Sequence, residues 1–168
     1  NVAATMKLPV IFVCENNYYA SHMGLLERRA KDNIVQVADC HGIPGASLDG
    51  NDVQVVFDET QVAVERARSG DGPSFLEFRT YRWRGHVGPS WDMDVGVKRK
   101  DELSDWLKLD PIKRAREVLL RLGVAAERLD DMASQEHHDV AQTLEEVRQD
   151  QDPDGSTVND HVFSQVIG

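Results

Sequence analysis

The chain has 168 residues, 29 acidic side chains against 19 basic ones and a net charge of −10, a length that suits one domain with a real core. Its 40% hydrophobic and 29% charged residues describe a globular chain, not a disordered one. The acidic balance argues against nucleic acid or an anionic membrane as the main partner, because both reward positive surface.

No apolar run approaches a membrane span; the longest is Val10–Cys14. Asn1–Lys7 lacks the basic segment and apolar region of a secretory signal. The absence of a starting Met points to a sequence that begins partway through a longer protein. Cys14 and Cys40 form neither a CxxC pair nor a disulfide framework, so a reducing, cytoplasmic setting is expected.

In chain order, Leu8–Cys14 is an apolar run with β-branched and aromatic residues. It reads as a strand buried on both faces inside a parallel sheet. It stops at the polar, aromatic loop Glu15-Asn16-Asn17-Tyr18-Tyr19. Asp32 is expected to cap a short helix carrying Ile34, Val37 and Ala38, ended by Gly42 and Pro44. Ala46-Ser47-Leu48 reads as a brief strand before the turn Asp49-Gly50. Asn51 or Asp52 then caps an amphipathic helix with Val53, Val56, Phe57, Thr60, Val64 and Ala67 on its apolar stripe, closed by Gly70. Ser74–Tyr81 reads as a second strand. Strand, helix and strand in succession predict βαβ crossovers and an open α/β sheet.

Trp83–Lys100 reads as a long loop, a length usually reserved for function or disorder. Helices are expected at 101–107, at 112–122 behind an Asp110-Pro111 start, and as a long acidic helix at about 125–149. The predicted organisation is an α/β region over 1–100, a helical extension over 101–150 and a loosely ordered tail over 151–168.

Two junctions carry chemistry. In open α/β sheets, ligands bind just beyond the carboxyl ends of strands, and the first strand points Glu15-Asn16-Asn17 at that place. Side-chain amides and backbone carbonyls are hard, neutral oxygens of the kind Mg²⁺ accepts alongside phosphate and water. The same Asn-Asn pair also reads as an ordinary turn. The second junction, Arg79–His86, gathers three arginines and one histidine in an acidic protein. Such donors suit phosphate oxygens, or form a solvated charged strand end. His137-His138 reads as a solvated helix face, Cys14 as packed in the sheet, Cys40 as packed in a helix, and Trp106 as a helix–core anchor.

Taken together, Leu8–Cys14 with Glu15-Asn16-Asn17-x-Tyr19-Ala20 resembles the closing half of the cofactor motif in the α subunit of thiamine-diphosphate-dependent 2-oxo-acid dehydrogenase E1 components, of the pyruvate, branched-chain or acetoin type. Ile43-Pro44-Gly45, Leu48–Val53, Gly72-Pro73, Thr80–His86 and Asp110-Pro111-Ile112 follow in the family's order, and ordered blocks are far more specific than any one of them. The resemblance implies a thiamine-diphosphate-binding α/β fold, present in part, with a parallel sheet flanked by helices and a helical C-terminal region. It implies that the Asn17 side chain and the Tyr19 carbonyl ligate Mg²⁺, that His86 binds the diphosphate of thiamine diphosphate, and that Ala20 lies beside the cofactor. It also implies decarboxylation of a 2-oxo acid, transfer of the acyl group to a lipoyl-bearing acyltransferase, and an E1 β-type subunit that completes the site. No catalytic acid or base is then expected in this chain.

The chain departs from the family pattern in three places. The Gly-Asp-Gly that opens the motif is absent upstream of Asn17; Gly70-Asp71-Gly72 lies downstream and is a decoy. Val87 follows His86 where regulated animal enzymes carry a phosphorylatable Ser. Ser21-His22-Met23 replaces the small residues and hydroxyls common after the Tyr-Ala pair. The alternatives are a truncated, non-catalytic subunit that keeps only its assembly surface, and an acetoin- or sugar-modifying relative of the same fold.

Overall fold

The computed structural model describes residues 1–91, 100–158 and 160. A short helix, α1 (Val2–Thr5), precedes strand β1 (Ile11–Asn16). A two-stranded ribbon follows, β2 (Tyr19–Ala20) antiparallel to β3 (Met23–Gly24), then the short helices α2 (Leu25–Arg28) and α3 (Gln36–Asp39). Strand β4 (Gly45–Asp49), helix α4 (Val53–Arg68) and strand β5 (Ser74–Arg79) complete the sheet. Helices α5 (Lys100–Trp106), α6 (Pro111–Arg121) and α7 (Ala126–Gln149) follow, with a 3₁₀ turn at Leu107–Leu109 between the first two.

The sheet is parallel, in the order β1-β5-β4. β4 and β5 are neighbours joined through α4, the expected crossover, and the architecture is the expected parallel sheet flanked by helices. Side chains alternate across a strand, so Leu76 and Phe78 of β5 face α4 and form a core with Ala63, edged by Ile11, Ala46, Leu48 and Val56. On the other face, β5 turns Glu77 and Arg79 toward Asn16 and Ser47.

β1 is not buried on both faces: Phe12 is 39% and Val13 56% exposed. Among the described residues β1 is an edge strand with one neighbour, so half the cover its apolar composition calls for is missing. The second strand ends at Arg79, short of Tyr81.

The face of α4 that meets the sheet is rotated from the predicted stripe. Ala63 is buried, while Val53 and Phe57 stay exposed beside a groove of about 390 Å³. Asp52, not Asn51, caps that helix, accepting from the N–H groups of Gln54 and Val55. Asp32 does not cap α3: Val35 stands at its N-cap without a side-chain bond, Asn33 Oδ1 accepts from Gln36 N–H at 3.1 Å, and Asp32 pairs with Arg79 instead. Cys40 is exposed just past α3 rather than packed within it.

Gly42, at φ +67°, closes α3 with Ile43 N–H bonded back to Ala38, the left-handed helix end that glycine permits. α6 opens as predicted, with the Asp110 carboxylate accepting from Ile112 N–H at 2.9 Å. The expected loop is described as far as Trp91; residues 92–99 lie outside the described residues.

The chain divides into two compact units, 1–119 and 120–168. In the second, α7 is exposed along nearly its whole length apart from Leu129. His137 lies on it, with Nδ1 contacting Ala133 O at 2.6 Å. Asp154 caps a short 3₁₀ turn near the end. Among the described residues, no helix is long and apolar enough to cross a membrane.

Candidate functional site

β1 and β5 run parallel in register, Asn16 opposite Arg79, so the loops that follow them leave the sheet side by side. Thr80 N–H donates to Asn16 O at 3.0 Å and keeps them together as the ladder ends.

At the end of β1 the two asparagines build consecutive Asx turns. Asn16 Oδ1 accepts from Tyr18 N–H and Asn17 Oδ1 accepts from Tyr19 N–H, each at 3.0 Å. The turns draw the backbone of Tyr18 into the left-handed region, φ +67°. A bulky residue holds that conformation only where its surroundings over-determine it. The surroundings do so here: the Tyr18 hydroxyl accepts from Arg79 Nη1 at 3.3 Å, and its ring lies 5.6 Å from Trp106. Tyr19 and Ala20 then enter the ribbon, paired with Gly24 and Met23.

Arg79 organises the neighbouring junction. Its guanidinium donates to both Asp32 oxygens, at 2.6 and 2.9 Å, and to Ser47 Oγ at 2.8 Å. Asp32 above all holds Arg79 protonated well beyond the ordinary arginine range. Arg82 ties the two loops together, donating to Ser21 O at 2.8 Å and standing 3.3 Å from His86 Nδ1. A guanidinium has no acceptor, so Nδ1 takes the hydrogen bond and the ring proton sits on Nε2, available as a donor from an exposed imidazole. Arg84 is turned away, lying over the Trp91 ring at 4.0 Å and donating to Pro89 O.

Beneath the ribbon is a cavity of about 540 Å³ lined by Tyr18, Tyr19, His22, Tyr81, Glu102 and Trp106, among others. Tyr81 stacks on Trp106, which thus anchors α5 as expected. Glu102 Oε2 accepts from the hydroxyls of Tyr19 (2.7 Å) and Tyr81 (2.9 Å). Burial first, and then Glu102, push the Tyr19 phenol well above its ordinary range.

Asn17 and Tyr19 are brought together by a direct hydrogen bond, and Ala20 is the next residue, exposed on the ribbon. His86 reaches the same loop through Arg82 and Ser21. The donor set at the turn is an amide and a carbonyl, and Asn17 Oδ1 keeps a second lone pair after accepting from Tyr19. These neutral oxygens suit a hard cation such as Mg²⁺, and Arg82 with His86 suits phosphate oxygens. Among the described residues, no group of three or more His, Cys, Asp or Glu is arranged to hold a metal.

Sequence reasoning missed four residues that hold this region. Glu77 is fully buried and bonds Asn16. Asp32 pairs Arg79, and Glu102 joins two tyrosines. Asn51 is 2% exposed, donates to Leu109 O at 3.0 Å and accepts from Thr80 Oγ1 at 2.7 Å. One signal was available: Glu77 interrupts the apolar run Phe75–Phe78 at a position the alternation places on the same face as Arg79.

A family model for the dehydrogenase E1 component matches residues 1–156. The chain is 34% identical over 165 residues to the pyruvate dehydrogenase E1 component subunit alpha of Porphyra purpurea, spanning 98% of this chain and 47% of that one. It is 37% identical over 127 residues to the pyruvate dehydrogenase E1 component subunit alpha-3, chloroplastic, of Oryza sativa subsp. japonica, spanning 76% and 29%. To the pyruvate dehydrogenase E1 component subunit alpha of Staphylococcus aureus (strain COL) it is 37% identical over 124 residues, spanning 74% and 33%. The chain thus spans about half the length of the first of these relatives and about a third of the other two. With the ordered motif blocks, the parallel sheet and a family match across nearly all of its residues, the chain belongs to the dehydrogenase E1 component family.

Proposed function

We propose that the chain is part of an E1 α-type subunit that holds thiamine diphosphate through Mg²⁺ and serves in the oxidative decarboxylation of a 2-oxo acid, the acyl group passing to a lipoyl-bearing acyltransferase. The observation that carries this reading is the double turn at the end of β1, where Asn17 and Tyr19 are drawn together beside the Arg82–His86 pair. Family membership and the names of the relatives support it.

On this reading the Asn17 amide oxygen and the Tyr19 carbonyl hold the ion. Thiamine diphosphate supplies the carbanion chemistry, and the protein supplies placement and electrostatics. His86 offers its Nε2 proton to a diphosphate oxygen, and Arg82 fixes the imidazole in the tautomer that can do so. Ala20, exposed on the ribbon, leaves room for the cofactor without adding a competing polar group. On this reading an E1 β-type partner supplies the proton transfer, and the residues of this chain hold and orient the cofactor. The rival reading, a non-catalytic assembly piece, draws on the exposed Val53 and Phe57 of α4.

The test is Asn17→Leu in the full-length subunit co-expressed with its β-type partner. Calorimetric titration with thiamine diphosphate and Mg²⁺ is expected to lose the metal-dependent binding seen in the parent. Unchanged binding would remove Asn17 from the site and favour the rival.

A further inference from the structure

Glu77 is the one fully buried large side chain among the described residues, 0% exposed in the middle of β5. An ionised carboxylate so placed is costly unless it is paired. Its Oε1 accepts from Asn16 Nδ2 at 2.6 Å and lies 3.8 Å from Arg79 Nη2, while Oε2 is buried with no hydrogen-bond partner among the described residues. For stability alone, an apolar residue at this central position would be less costly. The arrangement therefore needs another reason.

That reason lies in the amide of Asn16, which has two ends and can sit either way round. Glu77 presents only acceptors, so the NH₂ end must face it and Oδ1 must face the Tyr18 N–H. Reversing the amide would set its oxygen against a carboxylate and its NH₂ against a backbone donor. Glu77 thus works as a one-way latch. It aims Asn16 Oδ1 at Tyr18, which is held at φ +67°, and so sets the turn in which Asn17 Oδ1 meets the Tyr19 N–H.

We propose that Glu77 is a positioning residue for the strand-end site, acting through Asn16 to present the Asn17 amide and the Tyr19 carbonyl to the metal. This rests on the reading of that turn as a Mg²⁺–thiamine diphosphate site. Residues that orient metal ligands from behind govern affinity without touching the ion.

The experiment measures Mn²⁺ affinity, by paramagnetic resonance of the free ion with thiamine diphosphate present, in the full-length subunit with its β-type partner. Thermal melts are recorded beside it. Glu77→Leu is expected to weaken Mn²⁺ binding about 10- to 100-fold. Glu77→Gln retains an acceptor of the same size and is expected to stay near the parent value. Asn16→Asp sets two carboxylates together and is expected to weaken binding. Adding Glu77→Gln to it is expected to restore affinity, because the glutamine amide can donate to the new carboxylate.

Glu77→Leu binding Mn²⁺ as the parent does, while Asn17→Leu loses it, would overturn the proposal and leave the site reading intact. An Asn16→Asp/Glu77→Gln double variant no better than Asn16→Asp would also overturn it, and decides the matter even if Glu77→Leu does not fold. Asn17→Leu that retains parent affinity would overturn the site reading itself.

Discussion

Replacing Arg79 by Met should cost far more than its visible ion pair suggests. The guanidinium is 28% exposed and makes its shortest contact, 2.6 Å, with Asp32, itself 33% exposed. A pair so open to water contributes at most about 1 kcal/mol. The second interaction is longer, 3.8 Å to Glu77 Oε1, but its partner is fully buried. Two unit charges about 4 Å apart interact by about 4 kcal/mol at an effective dielectric of about 20. Water at the arginine end reduces this to about 2 kcal/mol, between the values for exposed and for buried pairs.

Arg79→Met should therefore destabilise by about 3 kcal/mol in total, and Asp32→Asn by no more than about 1 kcal/mol. Urea unfolding followed by tryptophan fluorescence reads both, with Trp106 reporting from its stack on Tyr81. In 1 M salt, where the screening length is about 3 Å, the Asp32→Asn deficit should vanish while most of the Arg79→Met deficit remains. Arg79→Met/Glu77→Gln should recover the Glu77 share. An Arg79→Met variant no weaker than Asp32→Asn, or one whose deficit disappears in salt, would refute the account of Glu77 as a buried charge that Arg79 offsets.

Asn51→Ala strands Leu109 O and removes the acceptor of the Thr80 hydroxyl. It should cost about 2–3 kcal/mol, read by the same unfolding assay. The exposed Cys40 should react quickly with a thiol reagent at pH 8 and Cys14 slowly, because burial, and then Glu77, push the Cys14 thiol above its ordinary range. The folded state then keeps that proton longer than the unfolded chain does. Its share of stability is complete below the unfolded thiol's value and is lost as pH rises through the folded one. Unfolding free energy should thus fall more steeply above about pH 9 in the parent than in Cys14→Val.

The elements that periodicity and caps specify locally were legible. The helix over 53–68, the helices after Asp110-Pro111 and Ala125, and the sheet strands near 11, 46 and 74 follow from patterns within a dozen residues. What escaped depends on neighbours distant in sequence. The apolar residues of α4 span a wider arc than one sheet can cover, so composition alone could not say that Ala63 faces inward while Phe57 does not. Asn16 and Asn17 look alike in a string; only Glu77, far along the chain, gives one of them the latch and leaves the other an open lone pair. Asp32 reads as a cap because caps are local, yet Arg79 claims it across 47 positions. His86 was legible as a polar group near the arginines, but its contact with Arg82 was not, because that depends on how the loop folds back.

The outer edge of β1 carries a further consequence. Among the described residues no strand pairs with it, and with Phe12 and Val13 uncovered it forms a template for one more strand. A strand that joined it parallel would run alongside β1 and release its own following loop about 4.8 Å from the asparagine turn. An antiparallel arrival would instead deliver the start of a strand there, with a different set of backbone groups. The direction in which that edge is completed therefore also decides which chemical neighbours the turn acquires, so that sealing the sheet and furnishing the site are a single event.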